Sequence, residues 1–517
     1  MSGHRAQMPR PRVAIFLSLL VLLGVASTQP AAAAEQRPNV IVVVTDDQSL
    51  AQFTPEYMPR TFKHFVERST SFSDAVVATP LCCPSRAALS TGQYGHNNGV
   101  LRNQYKLLER KRNVLPAWLR RSGYRTMHVG RFYNGYGFVG RNGQVAPGWD
   151  VWRTVLEPHS YYDYRMRFNS RFRKYGSGDR DYLTTNINRI AAKLIRRKSG
   201  RSRPFYLQVD QFAPHDGPGA RTPRCDQTAV PAPADEQTYA NEPLPTGPAF
   251  NEADISDKPD FFQAAPLIDG DRLDRLTRSW GCVLAALREV DRGMASIWRA
   301  LRQERALGDT AVLFTSDNAY LFGEHRIDLD KHYPYEEAVR VPLTLKLPRA
   351  LAPAGQPPTS MAPVANIDIA PTVLQMADAD PCKASGCRTL DGRSLVSDAA
   401  GVPQIPADRG IAIEYDGDRP LKGLVCSYQG IRDAGALYIE HLRGRSSFGG
   451  PCEPLVDARE FYDLEADPFE LENLLPTSPG SPAARASDLL QARSAALADC
   501  NGIAGRDPVP LSGHFCE

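Results

Sequence analysis

The chain has 517 residues, of which 42% are hydrophobic and 9% aromatic, so it can bury a large core and is not disordered as a whole. Its 61 basic and 58 acidic residues give a formal net charge of +3. This balance excludes nucleic-acid binding driven by bulk positive charge and excludes an acidic-tail protein. The length indicates more than one domain, one large and one small.

The N-terminus, residues 1–34, has the pattern of a secretory signal peptide. Arginines precede an apolar stretch at residues 13–27 that is too short to span a bilayer comfortably, and three alanines at 32–34 form a cleavage site. A membrane anchor is the alternative, but the alanine run favours cleavage. Removing this segment leaves equal numbers of basic and acidic residues. We expect a secreted or periplasmic protein, with no membrane contact after signal removal, in a compartment where disulfides form.

Short apolar runs typical of buried strands recur along the chain, and each ends in polar residues. They cover residues 40–44, 124–129, 205–212 and 310–314, and a helix with apolar residues at helical spacing is predicted over 271–303. This alternation indicates a parallel α/β sheet buried on both faces, with its ligand site beyond the carboxyl ends of the strands. The pattern predicts one site built from Asp46, Asp47, Arg131, His215, Asp317 and Asn318.

Segments rich in proline, glycine and alanine punctuate this pattern. Residues 221–265 read as a long surface excursion, and residues 397–409 read as a linker between domains. The predicted division is a signal peptide over 1–34, a larger catalytic domain over 35–400 and a smaller C-terminal subdomain over 401–517.

Asp46, Asp47, Asp317 and Asn318 would bring three carboxylates and an amide oxygen together. Gathered in one place, the carboxylates would repel one another without a cation, and hard oxygen ligands suit Ca²⁺ or Mg²⁺. The absence of histidine from this set argues against zinc. Each pair alone is more often a turn or a helix cap, but two pairs that each end a buried strand favour a metal site.

The most specific segment is residues 81–92, Leu-Cys-Cys-Pro-Ser-Arg-Ala-Ala-Leu-Ser-Thr-Gly. Pro84 predicts that Cys82 lies just before a helix N-terminus, where an anion is favoured. The alternative is that Cys82 and Cys83 are buried thiols or disulfide partners. The Cys-x-Pro-Ser-Arg pattern, followed by Thr-Gly, resembles the signature of type I sulfatases. One position departs from it, because the family usually has leucine where this chain has Ser90.

The resemblance to that family extends over nearly the whole chain after residue 34, and it is to bacterial arylsulfatases and N-acetylglucosamine-6-sulfatases. Similar segments lie at 40–48, 96–100, 146–150, 250–259, 315–318, 331–343, 367–372, 390–395 and 462–474. The resemblance implies an alkaline-phosphatase-like α/β fold, with a mostly parallel sheet sandwiched by helices and a smaller C-terminal α+β subdomain.

The same resemblance implies a function, the hydrolysis of sulfate esters to an alcohol and inorganic sulfate. In the family the first cysteine of the signature, here Cys82, is converted to formylglycine by a formylglycine-generating enzyme, and its hydrate attacks sulfur. One Ca²⁺ would be held by Asp46, Asp47, Cys82, Asp317 and Asn318. The catalytic residues would be Cys82, Arg86, Arg131, His215 and Lys331. The substrate class, an aryl or a sugar sulfate, stays open.

Arg131 departs from the related sequences, which usually have lysine at this position. Arginine keeps the charge and can bind sulfate through two hydrogen bonds, but it does not readily donate a proton. We therefore expect altered turnover or substrate preference. Asn134 lies where other sulfatases have a second histidine.

Two other functions remain open at this point. A phosphomonoester or phosphodiester (phosphonate) hydrolase of the same superfamily would usually carry Ser or Thr as nucleophile and two zinc ions. A protein in which Cys82 stays unmodified would be an inactive relic that binds sulfate esters.

The ten cysteines can also be interpreted once Cys82 is assigned to the reaction. Cys83 is expected to be a buried thiol. Pairing the others by proximity in sequence gives Cys382–Cys387, Cys426–Cys452 and Cys500–Cys516 and leaves Cys225 with Cys282, although sequence alone does not determine connectivity.

Overall fold

The computed structural model describes residues 1–4, 7–8, 37–136, 144–198, 203–352, 354–382, 386–417, 425–445 and 451–517. Most of the predicted signal peptide therefore lies outside the described residues. Residues 37–517 form one compact unit. No helix in the described part of the chain combines the length and apolar character that a membrane crossing needs.

The unit contains short and long strands in two main sheets and two small ones. The strands are β1 (Asn39–Asp46), β2 (Thr70–Phe72), β3 (Ala75–Val76), β4 (Arg125–Gly130), β5 (Val151–Val155), β6 (Arg165–Phe168), β7 (Arg171–Lys174), β8 (Phe205–Pro214), β9 (Thr310–Ser316), β10 (Leu321–Phe322), β11 (Asp328–Asp330), β12 (Leu343–Lys346), β13 (Thr359–Ser360), β14 (Val364–Ala365), β15 (Ile411–Asp416), β16 (Val425–Arg432), β17 (Ala436–Gly444), β18 (Glu453–Pro454) and β19 (Arg459–Asp463).

Helices cover the larger sheet and close the C-terminal part. They are α1 (Pro59–His64), α2 (Cys82–Thr91), α3 (Gly95–Asn98), α4 (Leu115–Arg121), α5 (Leu183–Lys198), α6 (Gly270–Gln303), α7 (Glu336–Val339), α8 (Ile369–Ala377), α9 (Val396–Ala399) and α10 (Pro482–Leu497).

The large sheet has ten strands in the order β13-β2-β12-β9-β1-β8-β4-β5-β6-β7. Its centre, from β9 to β5, is parallel, and antiparallel pairs flank this centre on both sides. The four predicted strands are the adjacent strands β9, β1, β8 and β4, so this prediction is confirmed. Their carboxyl ends meet at one edge of the sheet, where Asp46 at the end of β1 is opposite Pro214 of β8.

Both faces of this sheet are buried, which explains why the central strands are apolar along their whole length. In β1, Ile41 and Val43 pack with residues of α5 and α6 on one face, whereas Val40, Val42 and Val44 pack with residues of α2, α4 and α8 on the other. The alternation of side chains along a strand divides the run between two cores. The predicted sandwich of helices around a mostly parallel sheet is therefore confirmed.

The helix predicted over 271–303 is confirmed as α6. Its buried face begins at Leu276, because Leu273 in the first turn is exposed, contrary to the predicted apolar stripe. The first turns of α6 instead border a surface cavity that is described below. Residues 221–265 contain no strand and only short 3₁₀ turns, but the prediction of a surface excursion is wrong in part, because Val230, Phe261 and Phe262 are buried in the cores.

A five-stranded antiparallel sheet, β15 to β19, forms the smaller C-terminal part together with α10. The predicted linker at 397–409 is partly helical and ends in a buried residue. Its first residues belong to α9, and the buried Arg409 donates hydrogen bonds to both carboxylate oxygens of Asp368 at 2.7 and 2.8 Å. The division of the chain at residue 400 stays a prediction.

Four disulfides join Cys225 to Cys282, Cys382 to Cys387, Cys426 to Cys452 and Cys500 to Cys516. All four predicted pairs are confirmed. Cys82 and Cys83 are free and buried, so the prediction that Cys83 is a buried thiol is confirmed. The longest of the loops closed in this way, between Cys225 and Cys282, ties the 221–265 excursion to the buried face of α6.

Candidate active site

The polar residues that follow β1 and β9 form the floor of the site. The backbone amide of Asp47 donates to Asp317 Oδ1 at 3.2 Å, and Asn318 Nδ2 donates to Asp47 Oδ1 at 2.6 Å. Asp47 has a positive φ of 68°, a conformation in which aspartate is one of the tolerated residues, and it turns its carboxylate back toward the strand ends. Asp46, Asp317 and Asn318 are fully buried.

Arg86 of α2 lies under these carboxylates and contacts several of them at once. Its Nε donates to Asp317 Oδ2 at 2.8 Å, its Nη2 lies 3.1 Å from Asp46 Oδ2, and its Nη1 lies 3.1 Å from Asp210 Oδ1. Although burial alone lowers the pKa of Arg86, the surrounding carboxylates raise it above its usual range. Arg86 is therefore a permanent charge that offsets the repulsion among the carboxylates.

Cys82 is the first residue of α2 rather than the residue before the helix, so the predicted position is wrong by one residue. Pro84 occupies the third helical position, where its missing N–H would have no partner in the helix. The Cys82 Sγ accepts a hydrogen bond from Lys331 Nζ at 3.1 Å, and the same Nζ donates to Asp47 Oδ1. The predicted nucleophile position and the predicted catalytic lysine therefore meet above Asp47.

The protonation states of this pair follow from burial and charge. Burial raises the pKa of the Cys82 thiol, which Lys331 opposes and the carboxylates of Asp317 and Asp47 reinforce. Burial lowers the pKa of Lys331, but Asp47 and Asp317 outweigh it and raise that pKa above its usual range. The site therefore holds a neutral thiol beside a charged ammonium group.

His215 lies at the end of β8, half-buried, and its ring is oriented by Asp216. Its Nδ1 is 2.6 Å from the Asp216 carbonyl oxygen and 2.8 Å from Asp216 Oδ1, so Nδ1–H donates to Asp216. Its Nε2 then faces the site, 3.6 Å from Asp47 Oδ2. The ring stacks on Phe212, with the two centroids 5.2 Å apart.

Arg131 is buried and donates to Asp46 Oδ2 and, at 3.3 Å, to Asn134 Oδ1. The preceding Gly130 has a φ of 120°, and a Cβ atom there would collide with the carbonyl oxygen of Asp210 in β8. Glycine is thus required where β4 approaches β8 before the chain turns Arg131 into the site. Burial lowers the pKa of Arg131 from its usual range.

One departure from the family pattern, Ser90, contacts the segment that carries another, Arg131. Ser90, where the family usually has leucine, shares a hydrogen bond of 2.5 Å with the hydroxyl of Tyr133. Tyr133 in turn donates to the carbonyl oxygen of Arg86 at 2.9 Å, and it stands in the same segment as Arg131. This polar contact ties the segment that carries Arg131 to the helix that carries Cys82.

A divalent cation fits this donor set. Asp46, Asp47, Cys82 and His215 each offer one atom, and these atoms lie within 4.8 Å of one another. Asp46 Oδ1, Asp47 Oδ2 and Asn318 Oδ1 are buried and have no hydrogen-bond partner in the described part of the chain, which is costly unless a cation binds them. The ligand set predicted from the sequence had no histidine, whereas the structure brings His215 Nε2 to the group. Asp317 uses both oxygens in hydrogen bonds, and its role as a ligand stays a prediction.

Several residues of the site were not predicted. Asp210, inside the apolar run of β8, accepts from His128 Nε2 at 2.8 Å and contacts Arg86, and a lone carboxylate in a buried strand was the available signal. His159 lies against Phe212, with ring centroids 5.8 Å apart. Burial and then the positive charges of Arg131, His215 and Arg86 lower the pKa of His159 well below its usual value. Nothing in its local sequence marks His159.

Comparison with known proteins identifies the family of this chain. Residues 38–379 match the sequence family described as Sulfatase. The chain belongs to the sulfatase family. It is 30% identical over 417 residues to human N-acetylglucosamine-6-sulfatase, which covers 78% of this chain and 71% of the human protein. It is 29% identical over 524 residues to an arylsulfatase of Volvox carteri, with 95% of this chain and 78% of the algal protein covered.

Solved structures show the same fold. One, described as a complex with its substrate D-glucosamine-2-N,6-O-disulfate, has a TM-score of 0.69 and 21% identity, and the match covers 88% of this chain and 96% of that chain. A phosphonate monoester hydrolase of Agrobacterium radiobacter has a TM-score of 0.65 and 21% identity, covering 92% and 99%. At this identity the two likenesses concern the fold alone. The sulfatase is a sulfuric ester hydrolase, as its family membership and its arylsulfatase and N-acetylglucosamine-6-sulfatase relatives show.

The three ion pairs of Arg86 should contribute to the free energy of unfolding. We expect Arg86→Gln to lower the free energy of unfolding by about 3–5 kcal/mol, because it leaves buried carboxylates without their counter-charge. Arg120→Gln is the control, since Arg120 is 56% exposed and pairs with Asp150 at 2.9 Å, and such a pair contributes about 1 kcal/mol or less. Urea unfolding followed by circular dichroism measures both variants. Equal losses in the two variants would contradict the assigned role of Arg86.

Proposed function

We propose that this sulfatase acts through a formylglycine made from Cys82 and through one Ca²⁺ at the neighbouring oxygen ligands. The observation that carries the proposal is the contact of Cys82 Sγ with Lys331 Nζ at 3.1 Å, directly beside the orphaned oxygens of Asp46 and Asp47. A nucleophile, a cation site and a proton donor are thereby within reach of one sulfate group. A formylglycine-generating enzyme would act on the chain during its maturation.

The protein's own residues have separate tasks in this proposal. When present, formylglycine supplies a geminal diol as the nucleophile, and the calcium ion supplies positive charge for the sulfate oxygens. Asp46, Asp47, Asp317 and Asn318 would hold the ion with residue 82. Arg86 keeps the carboxylates in position through its three ion pairs.

Lys331, His215 and Arg131 would contact the substrate. The Lys331 ammonium can bind a sulfate oxygen and donate a proton to the leaving alcohol. His215 presents Nε2 to the same space, because Nδ1 is engaged by Asp216. The guanidinium of the buried Arg131 can donate two parallel hydrogen bonds to two oxygens of a sulfate group.

A sugar sulfate is the substrate class that the relatives favour. N-acetylglucosamine-6-sulfatases are among the most similar proteins, and one solved neighbour holds a glucosamine disulfate. A cavity of about 500 Å³ adjoins Asp47, which is the size range of small-molecule sites. The sulfate group of an aryl sulfate would contact the same residues, so an aryl sulfate serves as a reference substrate.

Secretion is proposed on the sequence of residues 1–34 and on the relatives. An extracellular sulfatase homologue of Caenorhabditis elegans is 30% identical over 376 residues, covering 70% of this chain and 49% of that protein. The four disulfides suit an oxidising compartment. Cleavage before residue 35 would release the catalytic domain and the C-terminal subdomain together.

The conversion of Cys82 is tested by mass spectrometry of the peptide that contains residue 82. We expect formylglycine in protein from its native host and loss of sulfate release from 4-nitrophenyl sulfate in Cys82→Ala. Cys83→Ala is the control, because the buried Cys83 thiol makes no contact assigned to the reaction and should leave conversion intact. Unmodified cysteine at position 82 would favour the inactive relic instead.

Cation removal is expected to lower both stability and activity. Chelation leaves the buried oxygens of Asp46, Asp47 and Asn318 without a partner, so Tm should fall and sulfate release should stop. Returning Ca²⁺ should restore both in the wild type, whereas Asp47→Asn should show a much smaller rise in Tm. Thermal unfolding by calorimetry measures this directly. An unchanged Tm after chelation would argue against a cation at these ligands.

Arg131 is tested by comparing two variants. Arg131→Lys should retain or raise kcat, because lysine also donates a proton readily, whereas Arg131→Ala should lower kcat about a hundredfold through loss of a charged donor. Initial rates with an aryl sulfate and with glucosamine 6-sulfate measure both. A drop in Arg131→Lys as large as that in Arg131→Ala would show that lysine is not the better residue here.

A further inference from the structure

The cavity beside Asp47 has several arginines in its wall. It extends from Asp47 and Tyr320 toward the first turns of α6, and the guanidinium-bearing residues that line it are Arg224, Arg272, Arg275, Arg278 and Arg326. At about 500 Å³ it has room for more than one sulfate group. This concentration of arginines is chemically distinct from the carboxylates of the cation site.

The arginines on α6 form one row. Arg272, Arg275 and Arg278 are spaced three residues apart, so they lie on the same face of the helix. Asp328 pairs with two of them, with its Oδ2 3.2 Å from Arg272 Nε and also bonded to Arg275 Nη2, so one negative charge offsets only one of these two positive charges. Arg278 is exposed and has no ion pair among the described residues. The row thus carries more positive charge than its carboxylate offsets.

The other two arginines are held by backbone oxygens. Arg326 donates to three carbonyl oxygens, and Arg224 donates to two. Such bonds fix the guanidinium groups without cancelling their charge. Rigid, uncancelled guanidinium groups in the wall of a cavity favour an anionic occupant.

Besides Asp328, four aspartates line the cavity, and all four come from segments other than α6. Asp47 belongs to the cation site, and Asp216 pairs with His215 Nδ1 at 2.8 Å. Asp226 is exposed and follows Cys225, whose disulfide joins that loop to α6, and Asp330 receives a hydrogen bond from the Lys331 backbone at 2.9 Å. The α6 row itself brings three guanidinium groups to the lining, and the one carboxylate paired with the row is that of Asp328.

We propose that the α6 wall binds a second anionic group, a sulfate or a carboxylate, of the sulfate ester whose first sulfate lies at Cys82. Arg278 is the principal contact, because its guanidinium is the one in the row without a carboxylate among the described residues. The substrate class is then a sugar sulfate with at least two negative groups. This inference rests on the proposed function and specifies the substrate of the same site.

Binding to a catalytically silent protein tests the inference independently of turnover. In full-length Cys82→Ala loaded with Ca²⁺, calorimetry compares glucosamine 6-sulfate, glucosamine 2-N,6-O-disulfate and a 6-sulfated glucosamine joined to a uronic acid. We expect one or both dianionic ligands to bind about tenfold more tightly than the monosulfate, the scale of one partly exposed charge-assisted contact. Tighter binding of the disulfate would indicate that the second group is a sulfate, and tighter binding of the ligand with a uronic acid would indicate a carboxylate.

Variants of the row locate the contact. Adding Arg278→Gln should abolish most of the preference for the dianion, and Arg278→Lys should retain part of it because the charge remains. Arg302→Gln is the matched control, since Arg302 is exposed on the same helix and lies outside the cavity lining. Equal affinities for the monosulfate and both dianions, or an unchanged preference in Arg278→Gln, would overturn the inference.

Failure of the proposed function appears in a different measurement. If protein with intact Cys82 releases no sulfate from any of the ligands, the proposed reaction is refuted. The binding preference of Cys82→Ala would still show whether the α6 wall binds a second anionic group. The two results are therefore separable.

Discussion

The concentration of buried carboxylates at one edge of the large sheet is the constraint on which the rest of the site depends. Asp46, Asp47 and Asp317 are buried where β1 and β9 end, and Asp210 is buried beside them within β8. Charges taken out of water are tolerated only when they are paired. The neighbouring segments accordingly bring positive groups to this edge, and the unpaired oxygens that remain define the place for a cation.

Three positive side chains reach the carboxylates from three separate segments. Arg86 comes from the nucleophile helix, Arg131 from the turn after β4, and Lys331 from the residue after β11. Each also touches or borders a group that the reaction would use. The same ion pairs therefore stabilise the fold and arrange the site, so loss of one pair should affect both properties.

Two departures from the family pattern, Ser90 and Arg131, lie in segments that contact each other through Tyr133. Arg131 replaces the usual lysine, and Tyr133 two residues later bonds to Ser90 of the nucleophile helix, itself a replacement of leucine. His159, neutral beside Phe212, supplies an imidazole near the site from a segment that the family signature does not include.

The sequence by itself determined the central strands and the long helix, and it predicted the position of Cys82 and three of the disulfide pairs. These inferences depend on local chemistry: apolar runs buried on both faces, apolar residues at helical spacing, a specific short motif and cysteines close together in the chain. The fourth pair, Cys225 with Cys282, followed only by elimination, and the structure decided the connectivity. Only the tertiary structure decided which charges meet, as with Asp210 and Arg86 or His215 and the metal group. It also decided that the three arginines of α6 face a cavity next to Asp47. Such contacts join residues far apart in sequence, and because their energy depends on distance and burial, spacing along the chain does not reveal them.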